Sequence, residues 1–316
     1  VVITPGNVKG LLAGLSESLD VLGEDFEASQ SVRQNSTTYV VGQMVIPTTS
    51  NGYVYRCTVA GTSGIAAPTW PTSNGHTVTD GTITWTTYAR NDAAMFSRME
   101  AAETEIQRLT GTRLEPTIIK MNPAEGDEYD LEEDPFDYQE RHWKGWPRFK
   151  TRWRPIISVE RVAVEWGEGS GLLSIPLDFV RLRKKLGVIS LVPSGSAAAV
   201  TVGSGYHLLS WLGGTQRMGI VPQMVAIDYT AGVTDILSNP DYADLRECIV
   251  KEAAQRVIEA IIDAISRGAT SISLDGLSES ADVSGLAEQQ RVMRESVEKF
   301  VRSYNQTMRA PRMKVL

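Results

Sequence analysis

The spacing of hydrophobic residues along this chain changes several times, and each change marks an element. Near the start, Thr4 is placed to cap a helix with Pro5 at its first position, and Val8, Leu11, Leu12 and Leu15 follow at helical spacing. A helix over residues 4–16 is expected. Residues 20–34 are less regular and more acidic, a second short helix or a linker. From 35 to 88 the helical period disappears. Residues 38–46, 53–59 and 82–88 read as strands between the turn dipeptides Asn51-Gly52, Asn74-Gly75 and Asp80-Gly81. Helical spacing returns at 91–110, where Met95, Met99, Ala102, Ile106 and Leu109 form one stripe and Gly111 stands ready to stop it. The two helical pieces flank the β segment, so 35–88 reads as a small all-β module inserted in a loop.

Beyond Gly111 the pattern is set by charge. Residues 125–140 are densely acidic, with Tyr129, Phe136 and Tyr138 interspersed. Residues 141–154 are basic and aromatic: Arg148, Lys150, Arg152 and Arg154 stand among Trp143, Trp146 and Trp153. Strands are expected at 156–166, 179–182, 187–192 and 224–230, giving a β region over about 150–235. Residues 194–206 are small and Gly/Ser/Ala-rich, a hairpin or loop. Asn239-Pro240-Asp241 then opens the strongest helix, 240–267, with Leu245, Ile249, Ala253, Val257, Ile261 and Ile265 as its central stripe. Val250, Ala254, Ile258 and Ile262 widen that stripe, so the helix is packed on more than one side. A last helix is expected over 284–309, ahead of an extended tail, 310–316, that Pro311 bars from helix. The class is α+β: a helical core with a β region, plus the inserted module.

Charge and composition narrow the function. The 316 residues carry a formal net charge of -7, and 42% are hydrophobic against 22% charged. This is globular usage and room for about two domains, and the acidic balance disfavours general binding of phosphate backbones. Two distant cysteines, Cys57 and Cys248, make neither a disulfide framework nor a zinc spacing, which points to a reducing compartment. No apolar run has the length of a membrane span, and the first residues do not read as a leader, so a cytosolic origin is expected. His76, His142 and His207 stand apart from one another and from metal-ligand spacings, so neither a metal, a cofactor nor a catalytic histidine is expected. Gly167-Glu168-Gly169-Ser170-Gly171 lacks the lysine and following helix of a phosphate loop and reads as a hairpin turn.

Two segments stay open between readings. The acidic run, with Glu132, Glu133 and Asp134 at its centre, reads as a solvated face or loop. The basic strip of Arg148, Lys150, Arg152 and Arg154 either meets phosphates and stacks bases, or pairs with the acidic run or an acidic neighbour; adjacent acid and base favour pairing within an assembly. In the module, Tyr55, Trp70 and Trp85 either form a platform for sugar rings or are its own core. A fold of about 50 residues has few other large side chains to bury, which favours core.

Without the module, the chain resembles tailed-bacteriophage head–tail connector proteins, the adaptors. The similarity lies in an ordered set of segments: Ala101-Ala102-Glu103-Thr104-Glu105-Ile106, ending in Thr110-Gly111-Thr112-Arg113; Arg154-Pro155-Ile156-Ile157-Ser158-Val159; Asp228-Tyr229-Thr230-Ala231-Gly232 before the Pro240 helix; and Ser271-Ile272-Ser273-Leu274-Asp275-Gly276 after it. It covers most of 1–34 and 90–316. The module, with Tyr39-Val40-Val41-Gly42, Pro68-Thr69-Trp70-Pro71 and Thr82-Ile83-Thr84-Trp85, resembles a small domain of phage structural proteins, distantly like chitin-binding modules.

The resemblance implies a non-enzymatic virion protein: a ring, usually of twelve copies, in the phage neck. Such a ring is assembled in the host cytoplasm, docks under the portal protein, receives the next neck or tail-completion protein, and passes DNA through its channel. The basic, apolar tail of Arg309, Arg312, Met313, Lys314, Val315 and Leu316 is then the candidate portal-binding element. The basic strip and Glu132, Glu133 and Asp134 are candidate contacts to neighbouring subunits or partners. The rival reading is a glycan-binding virion protein acting through residues 35–88.

Overall fold

The computed structural model describes residues 3–139, 147–165, 171–192, 220–268 and 283–307. The fold is α+β. Contacts divide it into two compact units, Val1–Glu105 with Asp241–Phe300, and Ile106–Pro240 with Val301–Leu316.

The first unit opens with α1 (Pro5–Leu11), whose Thr4 and Asn7 cap one another reciprocally. The expected single helix over 4–16 is corrected here. The chain turns at 12–15 and restarts as α2 (Ser16–Ser29), because Gly10 and Gly14 weaken helix continuation where Leu12 needs to turn into the core. These helices pack on α4 (Ala243–Gly268), which follows α3 (Arg90–Thr110) in the helical series. On α4, Ile249, Ala253, Ala254, Val257 and Ile258 are all fully buried, as the wide stripe requires. The last helix, α5 (Val283–Thr307), reaches α4 through a hydrogen bond of 3.2 Å from Lys251 Nζ to Ser296 Oγ.

Between α2 and α3 lie β1 (Thr38–Tyr39), β2 (Met44–Val45), β3 (Tyr53–Val59), β4 (Gly61–Thr62), β5 (Thr77–Asp80) and β6 (Ile83–Ala89). The second to sixth of these, β4 excepted, form an antiparallel sheet in the order β2-β3-β6-β5, while β1 pairs β4. The expected strand over 38–46 is two short strands. A turn at 40–43 splits them, with the Gln43 side chain accepting from Val40 N at 2.8 Å and Gly42 at φ +95°.

The second unit holds β7 (Thr117–Lys120), β8 (Leu131–Glu132), β9 (Phe136–Gln139), β10 (Arg148–Lys150), β11 (Ile156–Glu165), β12 (Gly171–Ser174), β13 (Val180–Arg183), β14 (Val188–Leu191) and β15 (Ile220–Ala231). The β region therefore begins near 117, not 150. The acidic segment keeps a solvated face, since Glu125, Asp127, Glu128, Asp130, Glu132 and Asp134 are exposed, but it is not all loop: β8 runs parallel to β7, and β9 pairs antiparallel with β15. Leu131, Phe136 and Tyr138 are apolar at spacings that reach the core, and this draws their acidic neighbours into the sheet. A larger sheet, β12-β11-β15-β7-β8, and a smaller one, β10-β14-β13, share one core that includes Ile119, Phe149, Ile189, Val225 and Tyr229.

Candidate interaction surface

Three of the segments that carry the connector resemblance meet at one place in the second unit. At the end of α3, Gly111 (φ +64°) accepts from Arg154 N at 2.9 Å, and Arg113 N donates to Arg154 O at 3.1 Å. Gly232 N donates to Pro155 O at 2.9 Å, and Val233 N to Arg113 O at 3.1 Å. A Cβ on Gly232 would lie 2.2 Å from the Glu115 carbonyl oxygen, so this crossing of backbones admits only glycine. The end of α5 closes the junction: Asn305 donates to Leu109 O at 2.9 Å, and Tyr304 shares a 3.0 Å hydrogen bond with Thr112.

Arg154 belongs to this junction and not to a surface strip. It is buried, and its guanidinium donates to Thr110 O at 2.5 Å and to Asn305 Oδ1 at 3.0 Å while lying over the Tyr304 ring. The carbonyls at the end of α3 lack helical partners, and Arg154 supplies donors to them. Burial lowers its pKa from the usual arginine value. Its expected role in partner contact is thereby corrected.

The rest of the basic run separates by strand alternation. Arg148 and Lys150 point outward from β10 and are exposed, whereas Phe149 between them is buried against Phe136, with ring centroids 5.2 Å apart. Arg152 is exposed, and it and Arg113 lie over the buried Trp153 ring at 5.1 and 4.8 Å from the centroid.

Of the acidic trio, Glu132 and Asp134 are exposed and Glu133 turns inward. Glu133 Oε2 accepts from the Tyr229 hydroxyl at 2.8 Å, and Oε1 is buried without a partner. Burial pushes the Glu133 carboxyl above the ordinary carboxylate range, against the hydrogen bond from Tyr229 and the charges of Arg152 and Arg113. Burial, and then Glu133, raises the Tyr229 phenol far above its usual value. Glu133 is thus half-buried and already engaged within the chain, unlike the exposed Glu132 and Asp134. Elsewhere in the segment Asp127 pairs with Lys120 at 3.1 Å, and Asp130 accepts from Ile118 N at 2.8 Å.

Two groups escaped sequence reasoning. Asp228, within the Asp-Tyr-Thr-Ala-Gly segment, is buried and accepts from Met121 N at 2.9 Å and Arg161 Nε at 2.7 Å, tying β7 to β15 and β11. Arg161 also pairs with the buried Glu165. The second group is Arg181 and Arg183 on β13, both exposed. The alternation Val180-Arg181-Leu182-Arg183 was the available signal.

In the β2-β3-β6-β5 sheet, Tyr55 and Trp85 are fully buried, and Trp70 packs on both at centroid distances of 4.2 and 6.3 Å. Tyr55 and Trp85 are consequently closed to a sugar ring. The candidate tail residues Arg309, Arg312, Met313, Lys314, Val315 and Leu316 lie outside the described residues, as do 141–146 of the basic strip and the Ser271–Gly276 segment. Among the described residues, no group of three histidine, cysteine, aspartate or glutamate side chains is arranged to hold a metal ion, and no helix is long and apolar enough to cross a membrane. No protein-family model matches the chain, and no curated protein matches it significantly.

Proposed function

We propose that this chain is a subunit of the head–tail connector ring of a tailed bacteriophage, docking under the portal and passing DNA to the tail. The observation that carries the reading is the junction of Gly111–Arg113, Arg154–Pro155 and Gly232–Val233. Segments far apart in sequence, singled out for their likeness to connectors, are joined by direct backbone hydrogen bonds. Such a likeness is harder to attribute to chance than separate matches would be. A ring that carries load between head and tail also needs its helices fixed rigidly to its sheets, and α3 and α5 both end in this knot.

In this role residues 35–88 are an inserted module on the outer rim, and the 310–316 tail binds the portal. DNA must slide, so the channel wall holds more carboxylates than cations. The test is the assembly state. The purified chain, or its complex with portal-bearing heads, should show a closed ring by electron microscopy, and removing 310–316 should leave a folded protein that no longer docks. Virions whose neck density lacks this chain would sink the proposal.

A further inference from the structure

We propose that the outer face of the β10-β14-β13 sheet is a self-association surface that receives the acidic 125–134 segment of a second copy of this chain. Register puts four cations on that face. Arg148 lies opposite Ser190, which lies opposite Arg181; Lys150 lies opposite Val188, which lies opposite Arg183. Directly paired residues point to the same side of a sheet. The other side carries Phe149, Ile189 and Leu182, in or against the core. All four cations are exposed, and Lys184, which follows directly, is exposed too.

Strand spacing sets the scale. Cations two apart on one strand are about 7 Å apart, and those flanking β14 about 10 Å apart. These distances are near the screening length of roughly 8 Å at physiological salt, so the four repel one another. Among the described residues none of the four pairs with a carboxylate, whereas Lys120, Arg161 and Arg256 each do. A face of this kind is held for an anionic partner.

Charge complementarity selects the partner. With these four cations set aside, the rest of a chain of net charge -7 carries -11. Residues 125–134 hold seven carboxylates and no cation, and all seven except Glu133 are exposed. Where these carboxylates bond among the described residues, the partners are Lys120, Ala124, Ile118 and Tyr229, not the basic face. One chain therefore presents a basic and an acidic surface that are not used on each other. Two different patches joining head to tail is the heterologous contact from which rings close. A second copy brings the matching acidic segment on its own fold, and binding of a nucleic-acid backbone is an outcome that the test separates. The inference deepens the ring reading by naming a contact between neighbours; it rests on that reading for closure, and on register and charge for the contact itself.

The experiment follows the full chain by analytical ultracentrifugation at low and high salt, with circular dichroism to check folding. Arg181→Glu with Arg183→Glu should weaken self-association by tenfold or more. Glu125→Lys with Glu128→Lys should do the same, and a chain carrying all four changes should recover it. Unchanged assembly of the Arg181→Glu, Arg183→Glu variant overturns this inference and leaves the ring reading standing. A salt-sensitive dimer that never closes supports the inference and removes the ring. A wild-type chain that stays monomeric at low salt overturns it. So does a fluorescent DNA duplex whose binding is lost in the variant while assembly is kept.

Discussion

Each unit draws a carboxylate inward beside a large aromatic residue, Asp80 fully and Glu133 by half, and the two outcomes are opposite. In the first unit, Asp80 is 3% exposed and accepts from Arg33 Nε and Nη2, Gly64 N and Trp85 Nε1 at 2.9, 2.8, 2.8 and 3.2 Å. Burial pushes its carboxyl up, but these donors outweigh burial, and the group ends below the usual aspartate range. In the second unit, Glu133 has one donor, Tyr229, and one oxygen without a partner, so burial wins and its carboxyl ends above the usual range. Burial has the same sign at both sites. The number of donors aimed at the anion decides which protonation state the fold prefers.

The largest effect should come from breaking the satisfied site. Asp80→Ala leaves the Arg33 guanidinium buried without its counter-ion, and should cost about 3–5 kcal/mol in urea unfolding followed by circular dichroism. A loss under about 1 kcal/mol would mean that solvent reaches Arg33 and that the site is not closed.

Next comes Arg154, a buried cation whose partners are neutral. Arg154→Met keeps the stem that packs in the junction but removes the donors to Thr110 O and Asn305. It should cost about 1.5–3 kcal/mol, the range for hydrogen bonds made by a charged group. The same change at exposed Arg148 should stay within about 0.5 kcal/mol. Equal effects at the two positions would place Arg154 on the surface after all.

The smallest and most discriminating effect concerns Glu133. Its carboxyl lies above the unfolded value when folded, so its contribution to stability is complete below the unfolded value and is lost as pH rises through the folded one. Asp80 runs the other way: its contribution is present above the unfolded aspartate value and lost as pH falls through the folded one. Glu133→Gln should therefore be neutral or stabilising by up to about 1 kcal/mol near pH 8, with no gain near pH 4. A variant that is destabilised at the higher pH would show that the ionised carboxylate is favoured there and that Arg113 and Arg152 outweigh burial.

How far the sequence reached depended on the range of the interactions involved. The wide stripe of α4, the Thr4–Pro5 start of α1 and the Asn51-Gly52 turn follow from residues a few positions apart, and period and capping chemistry displayed them directly. The burial of Trp85 and Tyr55 followed from size, because a small sheet has little else to bury. In the acidic segment the solvated face was legible, but charge density hid the alternation of Phe136 and Tyr138, which only the long strand β15 could reward with pairing. Arg154 misled for a related reason. In sequence it ends a basic run, but its partners, Thr110 and Asn305, lie 44 and 151 residues away.

The sequence by itself thus determined the three long helices α3, α4 and α5, the Asn-Gly and Asp-Gly turns, the residues large enough to form cores and the separation of acidic from basic segments, all set by local geometry and composition. Only the tertiary structure decided which charges became internal ties and which formed a surface. That choice depends on which distant backbone groups lack partners and on strand register, which brings Arg148 and Lys150 onto one face with Arg181 and Arg183 across β14.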